Sequence, residues 1–205
     1  MDITGDDGAL RSDATPRAQG LRADAERNRD RIVRAASALV VSSGPDVPLE
    51  AVARSAGVGI ATLYRRFPDR QALLSAVAHD ALETVLARVR DVVSRATDPW
   101  AAITDAFAWS PGLRVVLHLA GSRSPDLDAV LAGEQVRELR EALLLLVEEM
   151  LVEARVAGAV RAEVTGADVV LVLSGVSRTL PADDRLAALA YSRALDILFH
   201  GIRDR

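Results

Sequence analysis

The sequence predicts an all-α fold, and three observations predict it. Apolar residues recur at three- and four-residue spacing along most of the chain, which is the mark of one buried helix face. No apolar–polar alternation is sustained beyond a few residues, and no internal repeat appears. Half of the 205 residues are apolar but only 3% are aromatic. The core must therefore be built from Ala, Val and Leu, which suits packed helices.

Composition narrows the class further. The chain has 29 acidic and 25 basic residues, a formal net charge of −4 and no cysteine. The missing thiols exclude a disulfide scaffold, thiolate metal sites and a cysteine nucleophile, and they fit the interior of a cell. The opening MDITGDD is acidic and lacks the apolar run of a secretory signal. The longest apolar run, ALLLLV at 142–147, is far short of the roughly 18 residues that a membrane span requires. A soluble, cytoplasmic protein with no membrane partner is expected. Charge is uneven along the chain: residues 21–75 hold nine arginines against six acids, although the whole is acidic. Either a basic module is attached to an acidic body, or an arginine-rich composition is unevenly sampled.

Each element follows from its own residues. Residues 1–20 mix Gly, Asp, Ser, Pro and Thr without periodicity and predict a disordered tail. A helix is expected from Asp24 to Ser43, with Ile32, Ala35, Ala36 and Leu39 on one face, extended by Val40 and Ser43. SSGPDVP at 42–48 stops it, Gly44 serving as C-terminal cap with Pro45 just beyond. A second helix runs from Leu49 to Ala56 and ends at Gly57; Leu49, Val52, Ala53 and Ala56 share a face. A third spans Ile60 to Phe67 with Ile60, Leu63 and Phe67 inward. Asp69 then caps a long fourth helix reaching about Arg95. Past TDPW at 97–100, helices are expected over 99–109, 112–120, 126–157, 165–180 and 184–202. The organisation is a tail over 1–20, a helix-turn-helix unit over 21–75 and a larger helical body over 76–205.

The break at Gly57 explains the shortness of the second and third helices. Glycine reaches the left-handed conformation without steric cost, so two helices can cross steeply there. On a wheel of 3.6 residues per turn, Ala61, Thr62 and Arg65 lie opposite the inward side, and Tyr64 and Arg66 flank them. The outer side has little bulk at its centre, donors throughout and no carboxylate, a composition suited to a DNA major groove.

The stretch RDRIVRAASALVVSSGPDVPLEAVARSAGVGIATLYRRFPDRQALLSAV, residues 29–77, resembles the tetracycline-repressor (TetR) family of transcriptional regulators. The most specific pieces are Ala56-Gly57-Val58, Thr62-Leu63-Tyr64 and the run from Phe67 to Leu74. The resemblance implies an all-helical homodimer whose three N-terminal helices bind double-stranded DNA, and the expected function is a ligand-released repressor on a palindromic operator. The body would bind a small-molecule effector of unknown identity and dimerise through the last two helices. By position, the resemblance places Tyr64, Arg66 and Arg70 at phosphates and Ile60, Ala61, Thr62 and Arg65 near base edges. Arg22 and Arg27 either add contacts from an N-terminal arm or belong to a solvated helix face. Two departures stand out. Pro48 occupies the place where the family often has a hydroxyl residue, and it offers no donor. Glu50 in the first turn of the second helix suits the helix dipole but repels DNA unless it accepts from cytosine.

In the body, Val169, Val172, Leu173 and Val176 mark one long helix, and Leu186, Leu189, Ala190, Arg193, Ile197 and Ile202 mark the next. Packed against their twofold copies they form a four-helix interface; packed inward they belong to one subunit. Phe107, Trp109, His118 and Met150 are candidate walls of an effector pocket, with ordinary core packing as the alternative for each. The mainly aliphatic surroundings point to an apolar or amphipathic effector. Enzyme chemistry finds no support. His79, His118 and His200 fall on different helices without ligand spacing, and no phosphate-cradling glycine loop or nucleophile motif is present. His79 and Glu83 at i,i+4 read as a solvated pair. Neither a metal nor a cofactor is expected. A helical ligand-binding or interaction module without sequence-specific DNA binding is the rival function.

Overall fold

The computed structural model describes residues 16–181 and 183–202, with side chains from Asp24 onward. It contains ten helices among the described residues: α1 (Pro16–Ser43), α2 (Leu49–Ala56), α3 (Ile60–Arg66), α4 (Arg70–Arg95), α5 (Pro99–Ala106), α6 (Pro111–Gly121), α7 (Pro125–Ala132), α8 (Glu134–Val156), α9 (Gly166–Thr179) and α10 (Asp184–Ile202). None of them is long and apolar enough to cross a membrane.

Most helix starts are written in the sequence. Asp98, Ser110 and Ser124 each precede a proline and each accept a hydrogen bond three residues on, from the N–H of Ala101, Leu113 and Leu127 at 2.9, 3.2 and 3.2 Å. The proline has no N–H to leave orphaned at the first helical position, and the cap oxygen serves a following one. Asp69 caps α4 in the same way through Ala72 at 2.7 Å. Thr165 and Asp168 close a reciprocal capping box on α9.

Two expectations about extent are corrected. Helix α1 begins at Pro16, eight residues before the apolar periodicity, so residues 16–20 are helical rather than tail; residues 1–15 of the expected tail lie outside the described residues. Its buried stripe is Ile32, Val33, Ala36 and Val40, while Ser43 is exposed. The single helix expected over 126–157 is two, α7 and α8, divided at Gly133. There ψ turns to 138° and the N–H bonds back to the Ala129 and Val130 carbonyls. A Cβ at Gly133 would come to 3.2 Å from the Val130 carbonyl oxygen, a tight contact that the glycine avoids.

Helix α4 is shared by two cores. Its first half (Leu73, Leu74, Val77, Ala78) packs with α1, α2 and α3 and with Leu119, Leu127 and Val130 from α6 and α7. Its second half (Val85, Val89) packs with α5, α8, α9 and α10 around Ile103, Leu151, Leu173 and Tyr191. The expected boundary at residue 75 therefore runs through a helix that belongs to both halves.

Candidate functional site

The turn between α2 and α3 is set by hydrogen-bond geometry. Gly57 sits at φ 64° and ψ 37°. Its N–H bonds to the Arg54 carbonyl at 3.2 Å, and the Val58 N–H bonds to the Ala53 carbonyl at 3.0 Å. This pair of bonds is the Schellman closure, and it requires a left-handed residue at Gly57. No atom lies within 4 Å of where a Cβ would be, so backbone conformation alone selects the glycine.

Helix α3 hangs from two anchors. Leu63 is fully buried and Phe67, which closes the helix, is 5% exposed. Ala61, Tyr64, Arg65 and Arg66 are exposed and Thr62 is half-buried. The Arg65 guanidinium donates to the Thr62 hydroxyl at 3.0 Å, so both lie on one outer strip of the helix. Ile60, expected inward, is 39% exposed: as the first residue of the helix, just after the Gly57 turn, it lacks a facing wall. The outer side thus gains an apolar tip suited to a thymine methyl group. No acid stands in α3. Beside it, Pro48 opens α2 without a side-chain cap, and Glu50 and Arg54 are exposed.

The flanking cations are placed differently from one another. Arg70, the first residue of α4, is half-buried, with its Nε 3.7 Å from Asp126 of α7. Its Nη1 is buried without a hydrogen-bond partner. Arg27 is exposed and paired with Asp24 one turn back. It lies on α1, a helix rather than an arm. The side chain of Arg22 lies outside the described residues.

The body holds an apolar pocket of about 690 Å³, counting the part open to solvent, between α4, α6 and α8, with Ala106, Phe107 and Val170 also in its lining. Of the four candidate wall residues, Phe107 lines it; Trp109, His118 and Met150 do not. Trp109 packs on Tyr191, with ring centroids 5.2 Å apart, and under the Arg114 guanidinium at 5.5 Å. Arg114 is buried and donates to Asp184 and to the Pro181 carbonyl, both at 2.7 Å, tying α6 to the α9–α10 turn. Met150 is core. Burial first, then the neighbouring Arg114 and Arg178, hold the His118 imidazole below its ordinary value. The sequence reasoning missed Arg140, which lines the pocket from α8; in the charged stretch before the longest apolar run, where Arg137, Glu138 and Glu141 stand beside it, nothing in the sequence set it apart.

The last two helices divide their apolar residues between two sides. Leu186, Leu189, Ala190, Arg193 and Ile197 are exposed on α10, whereas Ala187, Tyr191, Leu195, Phe199 and Ile202 face inward. On α9, Val172 is exposed and Val176 half-buried, with Leu171 beside them 73% exposed. Val169 and Leu173 are corrected: they are buried in this chain's own core, against α8 and α10, and are unavailable to a partner. His79 and Glu83 form the expected helix pair, 3.4 Å apart. Among the described residues no cluster of three or more His, Asp or Glu suited to a metal is found.

Two family models match the chain. One, described as bacterial regulatory proteins of the tetR family, covers residues 32–77. The other, described as the C-terminal domain of SbtR-like transcriptional regulators, covers residues 114–204. An uncharacterized HTH-type transcriptional regulator of Mycobacterium bovis is 28% identical over 166 residues, 80% of this chain and 86% of that protein. The crystal structure of a TetR transcription regulatory protein from Mycobacterium vanbaalenii is 29% identical and covers 89% of this chain and 99% of its own, with a TM-score of 0.53. That of a TetR transcriptional regulator from Streptomyces coelicolor is 28% identical, covers 86% and 98%, and gives 0.52.

Proposed function

The chain belongs to the TetR family of transcriptional regulators and carries that family's helix-turn-helix DNA-binding domain, and on that premise we propose that it is a repressor released by a small molecule. In this reading it binds a palindromic operator as a homodimer. The observation that carries the reading is the division of α3: Leu63 and Phe67 buried, Ala61, Tyr64, Arg65 and Arg66 exposed, and no carboxylate on the helix. Arg65, Thr62, Ala61 and Ile60 meet base edges, while Tyr64 and Arg66 meet phosphates. Arg70 reaches a phosphate from the head of α4 when it leaves Asp126.

The twofold partner covers the exposed apolar strip of α9 and α10, since Leu171, Leu186, Leu189 and Ile197 are all more than half exposed and exposed apolar residues gathered on adjoining helices mark an interaction surface. Two α3 helices then enter successive major grooves about 34–36 Å apart. The effector occupies the apolar pocket, whose wall includes Leu82, Val85 and Val89 of α4. By favouring the position of α4 in which the two reading helices are too far apart, it lowers operator affinity. A ligand of equal affinity for both states has no effect.

Selection of bound fragments from random or genomic DNA, together with sedimentation of the free protein, tests this. An inverted repeat and a dimer mass are expected, with affinity falling by about 0.9 log units per log unit of salt for each phosphate neutralised. A monomer, or binding without sequence preference, refutes it and favours the helical module that does not read DNA sequence.

A further inference from the structure

Resting on the reading of the apolar pocket as the effector site, we infer that the effector is an amphipathic monoanion, an apolar chain ending in a carboxylate, and that Arg140 reads its head. Apolar walls supply affinity but no direction; orientation comes from the few polar groups that reach the space. Among the residues lining this pocket Arg140 is the one that carries a charge. It is exposed, so it sits at the mouth rather than the floor.

Its bonding leaves capacity for a ligand. Of five guanidinium N–H donors, one goes to the Leu131 carbonyl at the end of α7, at 3.2 Å. Among the described residues no carboxylate pairs with it, whereas Arg137, one turn earlier on the same helix, is held by Glu141 at 2.9 and 3.1 Å. The planar fork suits a carboxylate taken by two parallel hydrogen bonds. From Arg140 the lining continues past Leu143 and Leu144 to Val147, about 10 Å along the helix axis at 1.5 Å per residue. That length fits a medium aliphatic chain lying along α8 among the apolar lining residues. A carboxylate at the mouth would bind the same guanidinium that holds the Leu131 carbonyl, and so reaches the end of the helix whose other end holds Asp126 against Arg70.

The test compares three probes of one chain length on the full-length protein, below micelle-forming concentrations: decanoate, 1-decanol and decyltrimethylammonium. Binding is measured by calorimetry, and operator affinity is measured in the same samples. Decanoate should bind tighter than decanol by about tenfold or more, the size of a charge-assisted hydrogen bond, and the cation should bind weakest. Arg140→Gln should bring decanoate to the level of decanol and leave decanol unchanged, and Arg140→Lys should restore part of the difference. Leu144→Trp, at a partly exposed lining position, should weaken both. Equal binding of the three probes, no binding by any, or decanoate binding untouched by Leu144→Trp overturns the inference. Decanoate bound through Arg140 without loss of operator affinity upholds the ligand class and refutes release by ligand.

Discussion

Gly57→Ala isolates the conformational requirement of the turn that presents α3. At Gly57 the backbone holds φ 64°, and an added methyl group meets no atom within 4 Å. Any loss of stability therefore arises from the backbone and not from a clash. Placing an L-residue in the left-handed region costs about 1–2 kcal/mol, and the restricted unfolded chain returns about 0.4–1 kcal/mol. The net loss is about 1 kcal/mol, or a fall in Tm of about 2–4 °C for a chain of this size. Gly59 is the internal control. It too has open space around a Cβ, but its φ of −69° is ordinary. There the same unfolded-state gain opposes a cap preference for Gly over Ala of about 0.5 kcal/mol, so Gly59→Ala should be near neutral. Urea titration of both variants, with the parent alongside, measures the difference, and Gly57→Asn should recover part of the loss because Asn tolerates the left-handed region. If Gly57→Ala and Gly59→Ala were equally stable, the left-handed turn would not be what holds α2 and α3 at their angle.

The remaining predictions concern the DNA face, the body and pH. Arg65→Ala should relax sequence preference by about 1–3 kcal/mol per half-site at one position, whereas Arg66→Ala should weaken all sequences alike and lower the salt slope by about 1; competition binding over a set of operator variants separates the two. Tyr191→Phe removes a buried hydroxyl that donates to the Phe107 carbonyl at 3.0 Å and should cost about 1–2 kcal/mol in a denaturant titration, with the Trp109 contact retained. His118 is held below its ordinary value of 6.5 by burial, then by Arg114 and Arg178. The unfolded chain takes up that proton first, so stability due to His118 is full above pH 6.5 and declines as pH falls. His118→Gln should flatten that part of the stability–pH curve, and an unchanged slope would count against the placement.

Much of the fold was legible because helix ends are local chemistry. Asp69, Asp98, Ser110 and Thr165 cap the N–H groups a few residues on, and Gly57 satisfies the last carbonyls of α2, so each boundary is decided within one turn of chain. The Gly133 corner escaped because a lone glycine in a helical pattern does not say which way its ψ turns; the turn to 138° and the back-bonding of its N–H mark the bend only in three dimensions. The outer face of α3 was legible for Ala61, Tyr64, Arg65 and Arg66, since Leu63 and Phe67 alone fix the rotation of so short a helix. Ile60 was misplaced because periodicity assigns every residue to a side without asking whether a wall stands opposite.

What the sequence determined by itself is therefore the all-helical class, most of the helices with the caps that open them, the left-handed break and the kinship those residues carry. Tertiary packing decided which of two apolar sides of α9 and α10 is spent inside the chain: Tyr191, Leu173 and Val169 go to the core, and Leu171, Leu186, Leu189 and Ile197 are left outside. It also brought Arg70 to Asp126 and Arg140 to the mouth of an apolar pocket, across 56 residues in the first case and against four other helices in the second. A helix writes its ends in neighbours along the chain, but its partners are chosen by shape and charge complementarity between segments that the linear order keeps apart.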